Sequence, residues 1–84
     1  MNDITVDYQR LGWNQGSQWL KVGEEMGEVV QAIVEGDPVD VIRESLDVME
    51  TMWTYINMVA DEYHINLKRL VREHNEKLAD KGYL

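Results

Sequence analysis

The tripeptide Gly36-Asp37-Pro38 separates two helix-forming segments in the middle of the chain. Glycine tolerates the left-handed conformation that follows a helix end, aspartate caps helix N-termini, and proline suits the first helical position. The sequence therefore predicts that one helix ends near Glu35 and that the next begins near Pro38. A connection this short places the two helices side by side and antiparallel.

Apolar residues recur at helical spacing on both sides of this turn. Those before it are Trp19, Val22, Met26, Val29, Val30 and Ile33, with Ser17 as the expected N-cap. The segment after it is apolar over a wide arc from Val41 to Val59, and Trp53 is expected in the core. Asn66 is predicted to cap a last helix that runs to about Asp80. We expect a short helix before Gly12 and a loop from Trp13 to Gly16, so the predicted fold class is all-α.

The length of 84 residues allows one domain, residues 1–84, with a small core. The chain has no cysteine, so disulfides cannot add stability, and oligomerisation is the other common route for a small domain. The wide apolar arc after Pro38 also needs more than one neighbour to pack against. We therefore predict an antiparallel helical bundle completed by oligomerisation, as a homodimer or a homotetramer.

The charge balance is 8 Lys and Arg against 16 Asp and Glu, which gives a net charge of -8. This sign disfavours binding to a nucleic-acid backbone. The sequence has no charged-then-apolar leader and no apolar run near twenty residues, so we expect a cytoplasmic protein with no membrane partner. An acidic protein still binds phosphates when metal ions reverse the local potential.

Two groups of carboxylates stand at equal distances from the turn: Glu24, Glu25 and Glu28 before it, and Glu44 and Asp47 after it. Residues three or four apart share a helix face, and Glu28 and Glu44 each lie eight residues from Gly36. At about 1.5 Å per residue, the two groups can therefore face each other at one level. Oxygen-only sites of this kind usually hold Mg²⁺, with Mn²⁺ as a substitute.

A second interpretation of these carboxylates is a solvated surface, because glutamate-rich helix faces are common. The second group at the mirrored distance favours a metal site over that interpretation. Spacing alone leaves both open.

The segment Lys21–Ile33 (KVGEEMGEVVQAI), followed by Glu44–Met49 (ESLDVM), closely resembles the MazG-like family. Its members are all-α nucleoside triphosphate pyrophosphohydrolases marked by EExxE followed by ExxD. The C-terminal segment Lys77–Leu84 (KLADKGYL) is also similar to small members of the family, in which Arg is commoner at the position of Lys81. The resemblance covers roughly residues 17–84.

This resemblance implies Mg²⁺ bound by Glu25, Glu28, Glu44 and Asp47, with Glu24 in a catalytic position near the metal or the attacking water. It implies attack of water on a nucleoside triphosphate at the α–β linkage, with release of pyrophosphate, in a dimer or tetramer. Often the substrates of such enzymes are non-canonical nucleotides.

Substrate contacts are assigned to Lys21, Asn75, Lys77 and Lys81, and each has a plainer alternative. Lys21 lies one turn before Glu25 and either pairs with a carboxylate or reaches a phosphate. Lys77 and Lys81 either contact phosphates or offset the dipole of a solvated helix end. At the position of Lys81, a lysine keeps the charge of Arg but loses its bidentate geometry. Trp19 either stacks on a base or belongs to the core or an interface.

Two other functions remain open. One is phosphoribosyl-ATP pyrophosphohydrolase, a relative with similar acidic motifs, although Met49-Glu50 after Asp47 and the KGYL end look less like that branch. The other is a helical interaction module whose acidic face binds a basic partner without turnover.

Overall fold

The computed structural model of the protein describes residues 6–84, and within this range every regular element is a helix. The helices are α1 (Tyr8–Leu11), α2 (Gln15–Glu35), α3 (Pro38–Glu62) and α4 (Leu67–Asp80). The all-α prediction is confirmed for these residues, while the first five residues of the expected domain lie outside them. None of the four helices combines the length and the apolar character that crossing a bilayer requires.

The turn between α2 and α3 has the predicted chemistry. Gly36 has a φ of 76°, and its N–H donates to the carbonyls of Ala32 and Ile33. The Asp37 carboxylate accepts from the N–H groups of Val39 and Asp40, and Pro38 follows as the first helical residue. Because the turn is this short, α2 and α3 pack against each other as an antiparallel hairpin, which forms the main helix–helix contact among residues 6–84.

The predicted start of α2 was wrong. Asn14 is the N-cap, because its side-chain oxygen accepts from the N–H of Ser17 at 3.0 Å. The helix therefore begins at Gln15, and Gln15 and Gly16 are helical rather than part of a loop. Both Asn and Ser are good caps, and here the earlier one starts the helix. The Asn66 cap of α4 is confirmed, since its side chain accepts from the N–H of Arg69.

The buried core between α2 and α3 is small. Val22 is 1% exposed, and Ala32 and Met58 are also buried. Trp53, which we expected in this core, is half-buried and instead lines a cavity beside the start of α4 with Asn57 and Leu67. A core of this size explains why much apolar surface stays uncovered in a single chain.

The hairpin has two unlike sides, which helix geometry explains. Residues two apart differ by about 200° around a helix, so Met26 and Val30 lie nearly opposite Glu28. We call the side of α2 and α3 that bears Glu24, Glu28 and Asp47 the acidic side. The apolar side consists of Trp19, Met26, Val30, Ile33, Ile42 and Met49, all of them exposed. A shallow groove of about 370 Å³ on the apolar side is lined from both helices, by Met26, Val29, Val30, Ser45, Val48 and Met49.

The first turns of helix α4 lie beside the second half of α3. Leu67 and Leu70 lie beside Ile56 and Val59 around a small cavity, but α4 does not run alongside the hairpin. The molecule measures 40 × 40 × 20 Å, which is wider than a pair of packed helices.

Candidate metal centre

Three carboxylates from the two helices of the hairpin meet at one point. Glu25, Glu28 and Glu44 each offer an oxygen, and these atoms lie within 4.8 Å of one another. Oxygens that share a magnesium ion at about 2.1 Å each lie roughly 3–4 Å apart, so small side-chain movements suffice for joint coordination. The juxtaposition predicted from the mirrored spacing is therefore present for these three residues.

Two oxygens at this point lack a partner. Oε2 of Glu25 and Oε2 of Glu44 are buried, and neither accepts a hydrogen bond from the described residues. A buried carboxylate oxygen without a donor is costly, and coordination to a divalent cation is one way in which such an oxygen is satisfied. The donor set, all carboxylate oxygens, suits a hard cation such as Mg²⁺.

The crowding of negative charge raises the pKa of two of these groups. Burial is the main cause of the raised pKa of Glu25, followed by hydrogen bonding to Glu28 and the charges of Glu28 and Asp47. Hydrogen bonding to Glu28 is the main cause of the raised pKa of Glu44, followed by burial and the neighbouring charges. The three carboxyl groups therefore influence one another, as expected from oxygens within 4.8 Å.

The other predicted residues on the hairpin lie around this cluster in different ways. Asp47 is close enough for its charge to raise the pKa of Glu25 and of Glu44, but it is exposed. Glu24 is exposed on the acidic side of α2. Lys21 Nζ pairs with Glu25 at 3.8 Å, and its contact with a phosphate stays a prediction.

Two of the other predicted substrate contacts, Asn75 and Lys77, lie in the second half of α4, and the third, Lys81, is the residue that follows it. Asn75, Lys77 and Lys81 are exposed, and within residues 6–84 none of them forms an ion pair or a hydrogen bond with an acidic residue of the hairpin. Their roles stay predictions. A larger cavity of about 660 Å³ lies at the far end of the hairpin beside Tyr8, Trp13 and Asp61, and it contains no predicted site residue.

Trp19 lies on the apolar side, away from the carboxylates. It precedes Glu28 by nine residues, which is two and a half turns and therefore the opposite side of the helix. Its ring packs against Tyr55 with centroids 5.2 Å apart, and 54% of the residue remains exposed. This placement favours a contact between protein surfaces over stacking on a base at the acidic cluster.

Two polar residues beside the cluster were missed by the sequence analysis. Glu50 is half-buried, and burial raises its pKa, as does Asp47, while Lys21 acts in the opposite direction. The signal for Glu50 was its position three residues after Asp47, which extends the acidic face of α3 by one turn. Gln18 is only 2% exposed, and its signal was a position seven residues before Glu25, on the same face of α2.

The bond made by Gln18 is in register with Glu25 and Glu44. Gln18 Nε2 on α2 donates to the carbonyl of Thr51 on α3 at 2.9 Å. Seven residues further along α2 is Glu25, and seven residues back along α3 is Glu44. Seven residues are about two turns of a helix, so Glu25 lies on the same face of α2 as Gln18, and Glu44 on the same face of α3 as Thr51. Because the helices are antiparallel, Glu25 and Glu44 then lie at one level, as Gln18 and Thr51 do.

The described residues form an all-helical protein in which two antiparallel helices bring carboxylates together. This arrangement places the protein in the class of helical proteins with a candidate carboxylate metal centre. Comparison with protein-family models matches residues 15–81 to the MazG nucleotide pyrophosphohydrolase domain. The chain belongs to this family, which confirms the resemblance of the acidic motifs. Searches of curated proteins and of solved structures each gave no significant match.

The raised pKa values predict how stability depends on pH in the absence of metal. A folded-state pKa above the ordinary value of 4.5 means that the folded protein binds more protons than the unfolded chain above that pH. The contribution of Glu25 and Glu44 to stability is therefore largest below pH 4.5 and is lost as the pH rises through their raised pKa values. Urea unfolding in a chelator, from about pH 5 to about pH 8, should show this loss.

A matched pair of variants isolates the cluster from the general effect of net charge. Glu44→Gln should flatten the decline between about pH 5 and about pH 8, whereas Glu76→Gln, an exposed position on α4, should leave it as in the native chain. An equal decline in Glu44→Gln and the native chain would contradict the assignment of the raised pKa to this residue.

Proposed function

We propose that the protein is a magnesium-dependent nucleoside triphosphate pyrophosphohydrolase that converts an NTP or dNTP and water to the monophosphate and pyrophosphate. The observation that carries this proposal is the meeting of Glu25, Glu28 and Glu44, with two unpartnered buried oxygens, in a chain of the MazG family. Mn²⁺ is expected to substitute for Mg²⁺.

The role proposed for each residue follows from the position of its side chain. Glu25, Glu28, Glu44 and Asp47 would hold the metal, which when bound polarises the phosphoryl group and lowers the pKa of water. Lys21 balances part of the carboxylate charge through its pair with Glu25. Glu24, exposed on the acidic side, is proposed to orient the attacking water by accepting a hydrogen bond from it, and to take its proton as the water attacks.

Phosphate contacts are proposed for Lys21, Asn75, Lys77 and Lys81. Lysine ammonium groups and the asparagine amide can donate hydrogen bonds to phosphate oxygens, which supports this proposal. Such donors would add to the charge that the metal supplies when an acidic centre binds a triphosphate. Since the residues on α4 lie away from the cluster in one chain, they would act after α4 moves or from another copy of the chain.

We further propose that the active form is a homodimer or a homotetramer that covers the apolar side. Val30 and Ile33 are each 60% exposed and Ile42 is 63% exposed, so a single chain leaves the apolar side uncovered. Contiguous exposed apolar surface of this kind commonly marks a contact with another protein chain. A second copy offers the same apolar side and makes the contact self-complementary.

Release of pyrophosphate tests the proposed reaction. Ordinary and modified nucleoside triphosphates, together with phosphoribosyl-ATP, should be offered with Mg²⁺ and with a chelator. We expect Mg²⁺-dependent pyrophosphate from at least one triphosphate, and a rise in Tm of several degrees on adding Mg²⁺ without nucleotide. Turnover of phosphoribosyl-ATP alone would replace the proposed substrate, and indifference to Mg²⁺ in both measurements would contradict the enzyme.

A further inference from the structure

Gln18 forms a buried connection between the two long helices. The buried or half-buried serine and threonine hydroxyls of α3 donate within α3 itself: Ser45 to Val41, Thr51 to Val48 and Thr54 to Glu50. The Gln18 amide instead donates across to the carbonyl of Thr51 at 2.9 Å. Among residues 6–84 this is the fully buried side-chain hydrogen bond that joins two helices.

The acidic cluster lies between two points at which α2 and α3 are tied together. One is the Gly36-Asp37 turn, and the other is the bond from Gln18 to Thr51, which lies about 10 Å beyond Glu25 along α2. Between them, like charges on Glu25, Glu28 and Glu44 repel and push the helices apart. The apolar contacts around Val22 hold the helices together, but they are not directional and do not fix how far one helix is shifted along the other. A hydrogen bond to one particular carbonyl does fix that register.

We propose that Gln18 is a positioning residue of the metal centre, which holds Glu25 opposite Glu44 before any cation binds. Its bond to Thr51 counteracts the separation that carboxylate repulsion would cause at the level of the cluster. The inference rests on the proposed function in one respect, since it takes the three carboxylates to be metal ligands. Gln18 itself contacts neither the cation nor the substrate.

The variant Gln18→Met tests this role, because methionine has a similar length and volume but no donor. The Thr51 carbonyl keeps its place in the α3 backbone ladder, so the variant should fold. We expect the dissociation constant for Mg²⁺, measured by calorimetry without nucleotide, to rise about 10- to 100-fold, the usual range for residues that orient metal ligands. The activity lost at limiting Mg²⁺ should partly return at saturating Mg²⁺.

Gln31→Met is the matched control, since Gln31 is an exposed residue of the same helix that bonds only to Glu35 within the helix. It should bind Mg²⁺ like the native chain. Gln18→Asn keeps the amide on a side chain too short to reach Thr51, and it should behave like Gln18→Met. If Gln18→Met does not fold, the Mg²⁺ affinity of Gln18→Asn decides the matter.

Each outcome bears on the proposal. A Mg²⁺ affinity of the folded variants equal to that of the native chain, with a lower unfolding midpoint, would reduce Gln18 to a purely stabilising role and overturn the inference. So would a native chain that binds no Mg²⁺. A native chain that binds Mg²⁺ but hydrolyses no nucleotide would overturn the proposed function, while weaker Mg²⁺ binding in Gln18→Met would still support the positioning role.

Discussion

Replacing Glu28 with Gln should lower kcat/KM for pyrophosphate release by about 10²- to 10⁴-fold. Hydrogen bonding and the charge of Glu28 raise the pKa of both Glu25 and Glu44, and one oxygen of each residue lies within 4.8 Å of the others, so Glu28 is proposed as a ligand shared with both. An amide of the same shape removes one negative charge from the centre and weakens its hold on a divalent cation. Steady-state kinetics over a range of Mg²⁺ concentrations measure the loss.

The same substitution should make the metal-free protein more stable. Removing one of three neighbouring carboxylates relieves repulsion, so the Tm in a chelator should rise while the gain in Tm on adding Mg²⁺ shrinks. Glu76→Gln, on the exposed part of α4, is the control and should leave both quantities unchanged. Activity within about threefold of the native chain in Glu28→Gln would show that the centre is placed wrongly.

Replacing Ile33 with Lys should weaken self-association at least about 100-fold, which corresponds to about 2.8 kcal/mol. Ile33 is 60% exposed on the apolar side in a single chain, where the proposed contact with a second copy would bury it. Burying an unpaired ammonium group in such a contact is strongly unfavourable. Sedimentation across a range of concentrations measures the dissociation constant, and the Tm should fall with it.

Gln31→Lys is the control for this experiment. It lies two residues earlier, on the acidic side, and introduces the same charge where it can pair with Glu35. Its dissociation constant should match that of the native chain. A native chain that sediments as a monomer at all concentrations would contradict the proposed oligomer, and equal weakening by both variants would place the contact elsewhere.

Local chemistry made the turn between the long helices predictable. Gly36, Asp37 and Pro38 each have a conformational preference that depends on few neighbours, so their roles were confirmed. The start of α2 was mispredicted by a few residues because Asn14 and Ser17 are both competent caps. Trp53 was misplaced because helical spacing shows that residues share a side without showing what that side contacts.

The sequence by itself determined the all-α fold, the hairpin and the meeting of Glu25, Glu28 and Glu44, because helical period and a two-residue turn leave little freedom in their placement. Only the tertiary structure decided that the Gln18 side chain is buried and donates to the carbonyl of Thr51. The same holds for α4, which departs from the hairpin instead of bringing Lys77 and Lys81 to the cluster. These outcomes depend on packing between elements distant in sequence, which periodicity does not encode.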